Sequence, residues 1–226
     1  MQNLIVVAHP DDELLGFGAT GAKLVKEGEV VQAIILCGSV DVRTNRPTDA
    51  QLYEDTLTAN RRAGFADPVL GAFPNIRMNS VPHLDLVRFI EEQIVRFAPD
   101  RIFTHHAGDL NDDHLQVSRA CLAAVRYFQR RDDVKAPRSV YSMEIASSTD
   151  WSFPAVSSPF APSIYVGVEA GELETKIQSL ECYRKVMREC PHPRSREGLF
   201  ALATYRGGQG GYRYAEAFQL IFQRGI

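Results

Sequence analysis

The stretch Leu4-Ile5-Val6-Val7-Ala8-His9-Pro10-Asp11-Asp12-Glu13 constrains the fold more than any other part of the chain. Four apolar residues, mostly β-branched, read as a short strand buried on both faces. The strand ends in a histidine, a proline and three consecutive acids, and Leu14, Leu15 and Phe17 then lead a helical pattern to Glu27-Gly28. Pro10 suits the turn, and Asp11 or Asp12 is expected to cap the helix's free N–H groups. Open α/β sheets place their ligands at the carboxyl ends of such strands.

The chemistry expected at this turn is that of a divalent metal site. His9 and Asp12 stand three residues apart across a strand-to-helix turn, so an imidazole and a carboxylate can converge on one ion. Asp11, between them, faces the opening, where a carboxylate can take the proton of a metal-bound water. The competing reading is an acidic cap with His9 merely hydrogen-bonded.

The rest of the chain bears on that choice. Residues 30–37 predict the next parallel strand, and the polar stretch 38–49, with Arg43 and Arg46, a loop over the same sheet edge. A helix over 51–64 and a short strand over 68–73 follow. Leu84, Val87, Ile90, Ile94 and Phe97 recur at helical spacing until Pro99-Asp100 stops the helix. A strand over 101–104 then delivers His105-His106-Ala107-Gly108-Asp109-Leu110-Asn111-Asp112-Asp113-His114 to the edge that carries His9, and a helix follows over 115–130. Strands alternating with helices this regularly define an α/β fold, a mainly parallel sheet with helices on both faces. Two His/Asp clusters on one edge favour the metal. His114 is the natural third ligand, completing a His/Asp/His set with an open position for water. Of His105 and His106, one is expected to pack and the other to line the pocket.

Beyond this, 139–145 and 164–168 read as strands, 147–163 as a Ser/Pro-rich loop, and 173–187 and 197–205 as helices. Gly207-Gly208-Gln209-Gly210-Gly211 predicts a turn, and 214–222 closes the chain. With no repeat or linker, residues 1–226 read as a single domain. A net charge of −3 gives no general attraction to nucleic acid or anionic membrane. No run approaches the roughly 20 apolar residues needed to cross a bilayer, and no signal peptide is visible, so a cytoplasmic location is expected. Cys37, Cys121, Cys182 and Cys190 lack close spacing and read as thiols in a reducing compartment, not as ligands or nucleophiles.

Ala8-His9-Pro10-Asp11-Asp12-Glu13 together with Asp109-x-Asn111-x-Asp113-His114 resembles the LmbE/PIG-L superfamily of zinc-dependent N-acetylglucosaminyl deacetylases. Segments around Trp151, Pro191-His192-Pro193-Arg194-Ser195 and Tyr214–Phe218 resemble its bacterial sugar-deacetylase members. The resemblance implies a Rossmann-like three-layer fold, Zn2+ held by His9, Asp12 and His114, and Asp11 as general base. One departure stands out: Asn111 occupies a position where many members carry a histidine oriented by the acid kept here as Asp113. Asparagine can donate to an oxyanion but cannot carry an extra proton at neutral pH, so a protonated-histidine role would fall to His192 or His106. Arg43 or Arg46 is expected to bind hydroxyls or a phosphate group, and Trp151 to wall a sugar ring. The expected substrate is a small N-acetylated sugar or sugar conjugate. Iron(II) or cobalt would accept the same ligands, and a homo-oligomer is compatible with the sequence. Two other readings use the same residues: a metal-dependent amidase on a non-sugar or thiol-conjugate substrate, and a metal- or sugar-binding protein without turnover.

Overall fold

The apolar run at the start of the chain becomes β1 (Gln2–Val7), and the helix after it α1 (Asp12–Lys26). The elements that follow are β2 (Val30–Ile35), α2 (Asp49–Arg62), β3 (Ala66–Leu70), α3 (His83–Phe97), β4 (Arg101–His105) and α4 (Asp112–Val125). Then come β5 (Ser139–Met143), β6 (Ile164–Val168), α5 (Ala170–Leu180), α6 (Arg196–Gly210) and β7 (Tyr214–Gln223). This computed structural model describes residues 1–39, 47–153 and 158–225. Arg43 and Arg46 lie outside the described residues.

The seven strands form one sheet in the order β3-β2-β1-β4-β5-β7-β6. β1 through β5 pair in parallel, and β7 runs antiparallel to both of its neighbours. The order makes β1 and β4 a switch point. From β1 the chain winds outward through β2 to β3; from β4 it winds the other way to β5. The loops after β1 and β4 therefore part, leaving a crevice between them at the carboxyl edge.

Helices cover both faces of the sheet. On one side Leu14, Phe17, Leu173, Ile177 and Leu199, from α1, α5 and α6, pack on Ile5, Val7, Phe103 and Phe218. On the other, Leu86, Ile90, Ile94, Val117 and Cys121, from α3 and α4, pack on Leu4, Val6, Ile34 and Ile102. β1 is buried on both faces, which is why it reads as a continuous apolar run rather than an alternating one. Among the described residues no helix is long and apolar enough to cross a membrane.

α1 is fixed more firmly than its apolar face requires. Glu216 of β7 accepts the N–H groups of Ala19 (3.2 Å) and Thr20 (2.7 Å) from the helix interior. Lys176 of α5 donates both to Glu216 (2.6 Å) and to the Leu15 carbonyl (2.7 Å). The helix also lies very close to its neighbours: a Cβ on Gly21 would stand 2.3 Å from Phe65 Cζ.

The glycine-rich stretch overturns its expectation. Gly207, Gly208 and Gly210 are helical residues of α6, and only Gly211, at φ +79°, makes the turn. A Cβ on Gly207 would meet the backbone of Tyr212 and Arg213 at 2.7–2.8 Å, so glycine serves close approach here rather than flexibility. The helix expected over 173–187 ends at Leu180, with turns beyond it.

Gly21→Ala weighs two opposed effects. The helix gains about 1 kcal/mol in propensity, while overpacking against the Phe65 ring costs about 1–3 kcal/mol. A net loss of about 1 kcal/mol is expected, read as a lower midpoint of urea unfolding with an unchanged slope.

Candidate metal centre and active site

The crevice between β1 and β4 is lined by the two His/Asp clusters. His9 follows β1, Asp12 opens α1, and His114 lies in the first turn of α4. All three are buried, and one ligand atom from each falls within 4.8 Å of the others. Asp12 Oδ2 is 3.4 Å from His9 Nδ1 and 3.2 Å from His114 Nε2. A tetrahedral centre with bonds of about 2.0–2.2 Å places its donors roughly 3.4 Å apart. The donor spacing and the N/O donor set thus fit a divalent metal ion.

Each imidazole is oriented from behind by a second acid. His9 Nε2 lies 2.9 Å from Asp113 Oδ2. Asp113 in turn accepts the backbone N–H groups of Ile76 (2.6 Å) and Met78 (2.9 Å). His114 Nδ1 lies 3.1 Å from Asp109 Oδ1, and the hydroxyls of Ser148 and Thr149 donate to the same carboxylate. Carboxylates behind metal-ligating histidines fix the tautomer and raise ligand basicity. Asp113 therefore sits behind His9 rather than in the pocket.

The charge balance favours a cation. Burial alone would lower the His114 pKa, yet the Asp12 and Asp109 carboxylates raise it to about 10. Burial works against Asp109 too, but His114 and Ser148 hold its pKa down at about 2. Two buried carboxylates thus converge on one imidazole, and positive charge is what the cluster lacks.

His105 stacks on His114 with ring centroids 3.8 Å apart, and its Nε2 accepts the Ala8 N–H at 2.9 Å. Burial and the neighbouring His114 push its pKa down to about 3, so it packs as a neutral ring. His106 is tied to the loop that follows β5. Its Nε2 bonds the Ser158 carbonyl at 2.9 Å and its ring meets Phe160 edge-on, which anchors the loop.

Asp11 lies beside the cluster, in a left-handed conformation with φ 107° and ψ −29°. Contrary to expectation it makes no side-chain cap, nor does Asp12 supply one. Its Oδ2 takes a bond from Arg194 Nη1 at 3.1 Å, while Asp12 Oδ2 accepts the His9 N–H at 3.0 Å. Asp11's own N–H goes to Glu13, whose buried carboxyl is pushed up to about 7 mainly by burial.

The remaining expected residues are spread around this centre. Asn111 is the N-cap of α4, its Oδ1 accepting from the Asp113 N–H at 3.0 Å, which leaves its NH2 as a donor. His192 Nδ1 accepts the Arg194 N–H at 3.0 Å. Burial, Arg194 and Arg188 lower the His192 pKa, so this ring stays neutral instead of holding a proton in reserve. Trp151, 46% exposed, meets the His192 ring edge-on at a centroid distance of 5.4 Å. Arg194, Asp109 and Glu13 went without roles in the sequence reading. Arg194 meets Asp11 from far along the chain, whereas Asp109 and Glu13 act on near neighbours, His114 and Asp11, and take their own supports from distant segments, Ser148 and Thr149 for the one and Asn60 and Tyr183 for the other.

Residues 4–125 match the family described as PIG-L: GlcNAc-PI de-N-acetylase. The uncharacterized deacetylase YaiS of Escherichia coli K12 is 30% identical over 134 residues, 54% of this chain and 67% of its own. N,N'-diacetylchitobiose deacetylase from Pyrococcus horikoshii has a similar fold, with a TM-score of 0.77 at 16% identity over 97% of this chain and 83% of that one. GalB, the 4-carboxy-2-hydroxymuconate hydratase of Pseudomonas putida KT2440, also shares the fold, with a TM-score of 0.76 at 17% identity over 100% and 98%. Relatives, fold and the buried His–Asp–His cluster define a hydrolase of the metal-dependent N-deacetylase class. The chain belongs to the PIG-L family.

Removing the acid behind either histidine tests the centre. Asp109→Ala or Asp113→Ala is expected to weaken metal binding about 10–100-fold, measured by competition with a chromogenic chelator.

Proposed function

We propose that the protein is a zinc-dependent deacetylase that removes the acetyl group from an N-acetylated amino sugar or sugar conjugate. His9 Nδ1, Asp12 Oδ2 and His114 Nε2 would hold the metal. The observation that carries the reading is Asp11: a carboxylate beside a three-donor cluster, kept in a strained backbone conformation, is more than metal binding alone requires. A zinc ion bound there supplies a polarised acyl carbonyl and a water acidic enough to lose its proton near neutral pH.

Asp11 accepts that proton as general base. Arg194, bonded to Asp11 and to Ser147 Oγ (2.6 Å), limits where the carboxylate can swing. The oxyanion that forms as water attacks takes a hydrogen bond from the Asn111 amide or the neutral His192 ring. Asp11, now protonated, returns its proton to the departing amine, and the products are acetate and a free amino sugar.

Trp151 stands as a wall for the sugar ring.

The test is mass spectrometry after incubation with N-acetylglucosamine, N,N'-diacetylchitobiose, UDP-N-acetylglucosamine and an N-acetyl cysteine conjugate. Loss of one acetyl group is expected from a sugar, abolished by chelation and restored by zinc. Asp11→Asn should retain bound zinc and lose about 100-fold or more in kcat. Turnover of the cysteine conjugate alone would replace the sugar with a thiol-linked substrate. Full activity of Asp11→Asn would remove Asp11 as the base.

A further inference from the structure

Left-handed backbone crowds the Cβ of any L-residue, and glycine takes it without strain. Glycine at position 11 would relieve the strain and delete the carboxylate, so the chain keeps aspartate and needs something to hold it. The Asp11 N–H donates to Glu13 Oε2 at 3.0 Å. Glu13 is fully buried, and its other oxygen accepts from Asn60 Nδ2 at 3.0 Å and from the Tyr183 hydroxyl at 2.5 Å.

This is not ordinary helix capping. The acid of a capping box sits at the third helical position and reaches back to the N-cap N–H, whereas Glu13 reaches that N–H from the second position of α1 and is closed in the core. Its supports come from elsewhere in the fold. Asn60 lies in the last turn of α2 and is itself held by the Thr56 carbonyl at 2.9 Å; Tyr183 follows the end of α5. Neither segment supplies a metal ligand. A buried acid fastened at both oxygens, with one of them on a strained N–H, is an arrangement that fixes a backbone.

We infer that Glu13, backed by Asn60 and Tyr183, is a positioning residue that holds Asp11 in its left-handed turn and so aims the Asp11 carboxylate at the mouth of the His9–Asp12–His114 cluster. The inference rests on the proposed role of Asp11 as base. Glu13 touches neither substrate nor metal and acts only through the N–H two residues before it.

The test uses the full chain with Glu13→Ala, Glu13→Gln and Tyr183→Phe. The first readout needs no substrate: exchange of the Asp11 amide proton in 15N-labelled protein, with and without zinc. Slow exchange is expected in the wild type, and exchange between wild type and Glu13→Ala in Glu13→Gln, whose single carbonyl can accept from Asp11 only by turning its NH2 toward the Asn60 and Tyr183 donors. Exchange at least about tenfold faster is expected in Glu13→Ala, with Tyr183→Phe between. The second readout is acetate release from N,N'-diacetylchitobiose and N-acetylglucosamine. Glu13→Ala should lose about 100-fold in kcat, with KM within about threefold and zinc content unchanged, and Glu13→Gln should recover part of that loss. A general defect in folding would instead lower zinc content along with kcat.

Equal protection of the Asp11 amide in all the variants would overturn the inference. So would wild-type kcat in Glu13→Ala when Asp11→Asn is inactive. An active Asp11→Asn would retire the base assignment, while amide exchange would still report whether Glu13 holds the turn. Should Glu13→Ala fail to fold, the conservative Tyr183→Phe and Glu13→Gln carry both readouts.

Discussion

A carboxylate closed away from water has to find positive charge, and Asp12 imposes that condition on everything near it. Burying an isolated carboxylate costs several kcal/mol, yet Asp12 is 1% exposed. One of its oxygens lies within reach of His9 Nδ1 and His114 Nε2 and accepts the His9 N–H. Those imidazoles are backed by further acids, Asp113 and Asp109, so negative charge recurs behind the rings as well as between them. A divalent cation among these donors supplies the positive charge that the carboxylates otherwise draw from His114 and His9, whose pKa values they raise. The switch point between β1 and β4 makes the arrangement reachable, because it brings loops about a hundred residues apart to one crevice.

The same turn carries a second tension. A left-handed non-glycine residue costs about 1–2 kcal/mol, and a hydrogen bond to a charged group returns about 1.5–3 kcal/mol. The bond from the Asp11 N–H to Glu13 is therefore of the size needed to offset the strain when Glu13 is ionised, with Asn60 and Tyr183 keeping the acceptor in place. The helix that bears Glu13 is in turn fixed by Lys176 and Glu216 within its span and by close packing at Gly21. The rigidity of α1 thus reaches the first turn, where about an ångström of drift would separate Asp11 from the water it is proposed to deprotonate.

Those layers were legible in the sequence to different degrees. β1, its turn and α1 could be read because an apolar run, a proline and an acid cluster are local signals. The same holds for β4 and the cluster after it, and the parallel pairing of β1 with β4 is what turns two local signals into one crevice. His9, Asp12 and His114 could be singled out because ligand chemistry restricts residue type. Their supports could not. Nothing in the spacing of Asp109, Ser148 and Thr149 says that two hydroxyls will meet that acid, and Glu13 looks like one more acid at a helix start until Asn60 and Tyr183 arrive from other elements. Propensity misled at Gly207–Gly211, where backbone approach outweighs the entropic cost of glycine in a helix. His106 and Asp113 carried the right residue types for chemistry, and the sequence could not say that one would bond the Ser158 carbonyl and the other the His9 ring and two backbone N–H groups.

Fold likeness extends to a hydratase as readily as to a deacetylase, so the sheet and its crevice do not choose the reaction. A base beside activated water serves addition to a double bond as well as attack on an amide. The choice falls to groups that meet the substrate after the water is in place. Amide hydrolysis demands a proton for the departing amine, and the field around His192, with Arg194 and Arg188 close by, disfavours storing one there. Asn111 cannot store one either. In the proposed mechanism the proton comes from Asp11 itself, which takes it from water and hands it on within a single turnover. A carboxylate with that double duty has to reach both water and amine without losing its place, and that requirement gives the strained, firmly held turn at Asp11 a chemical reason.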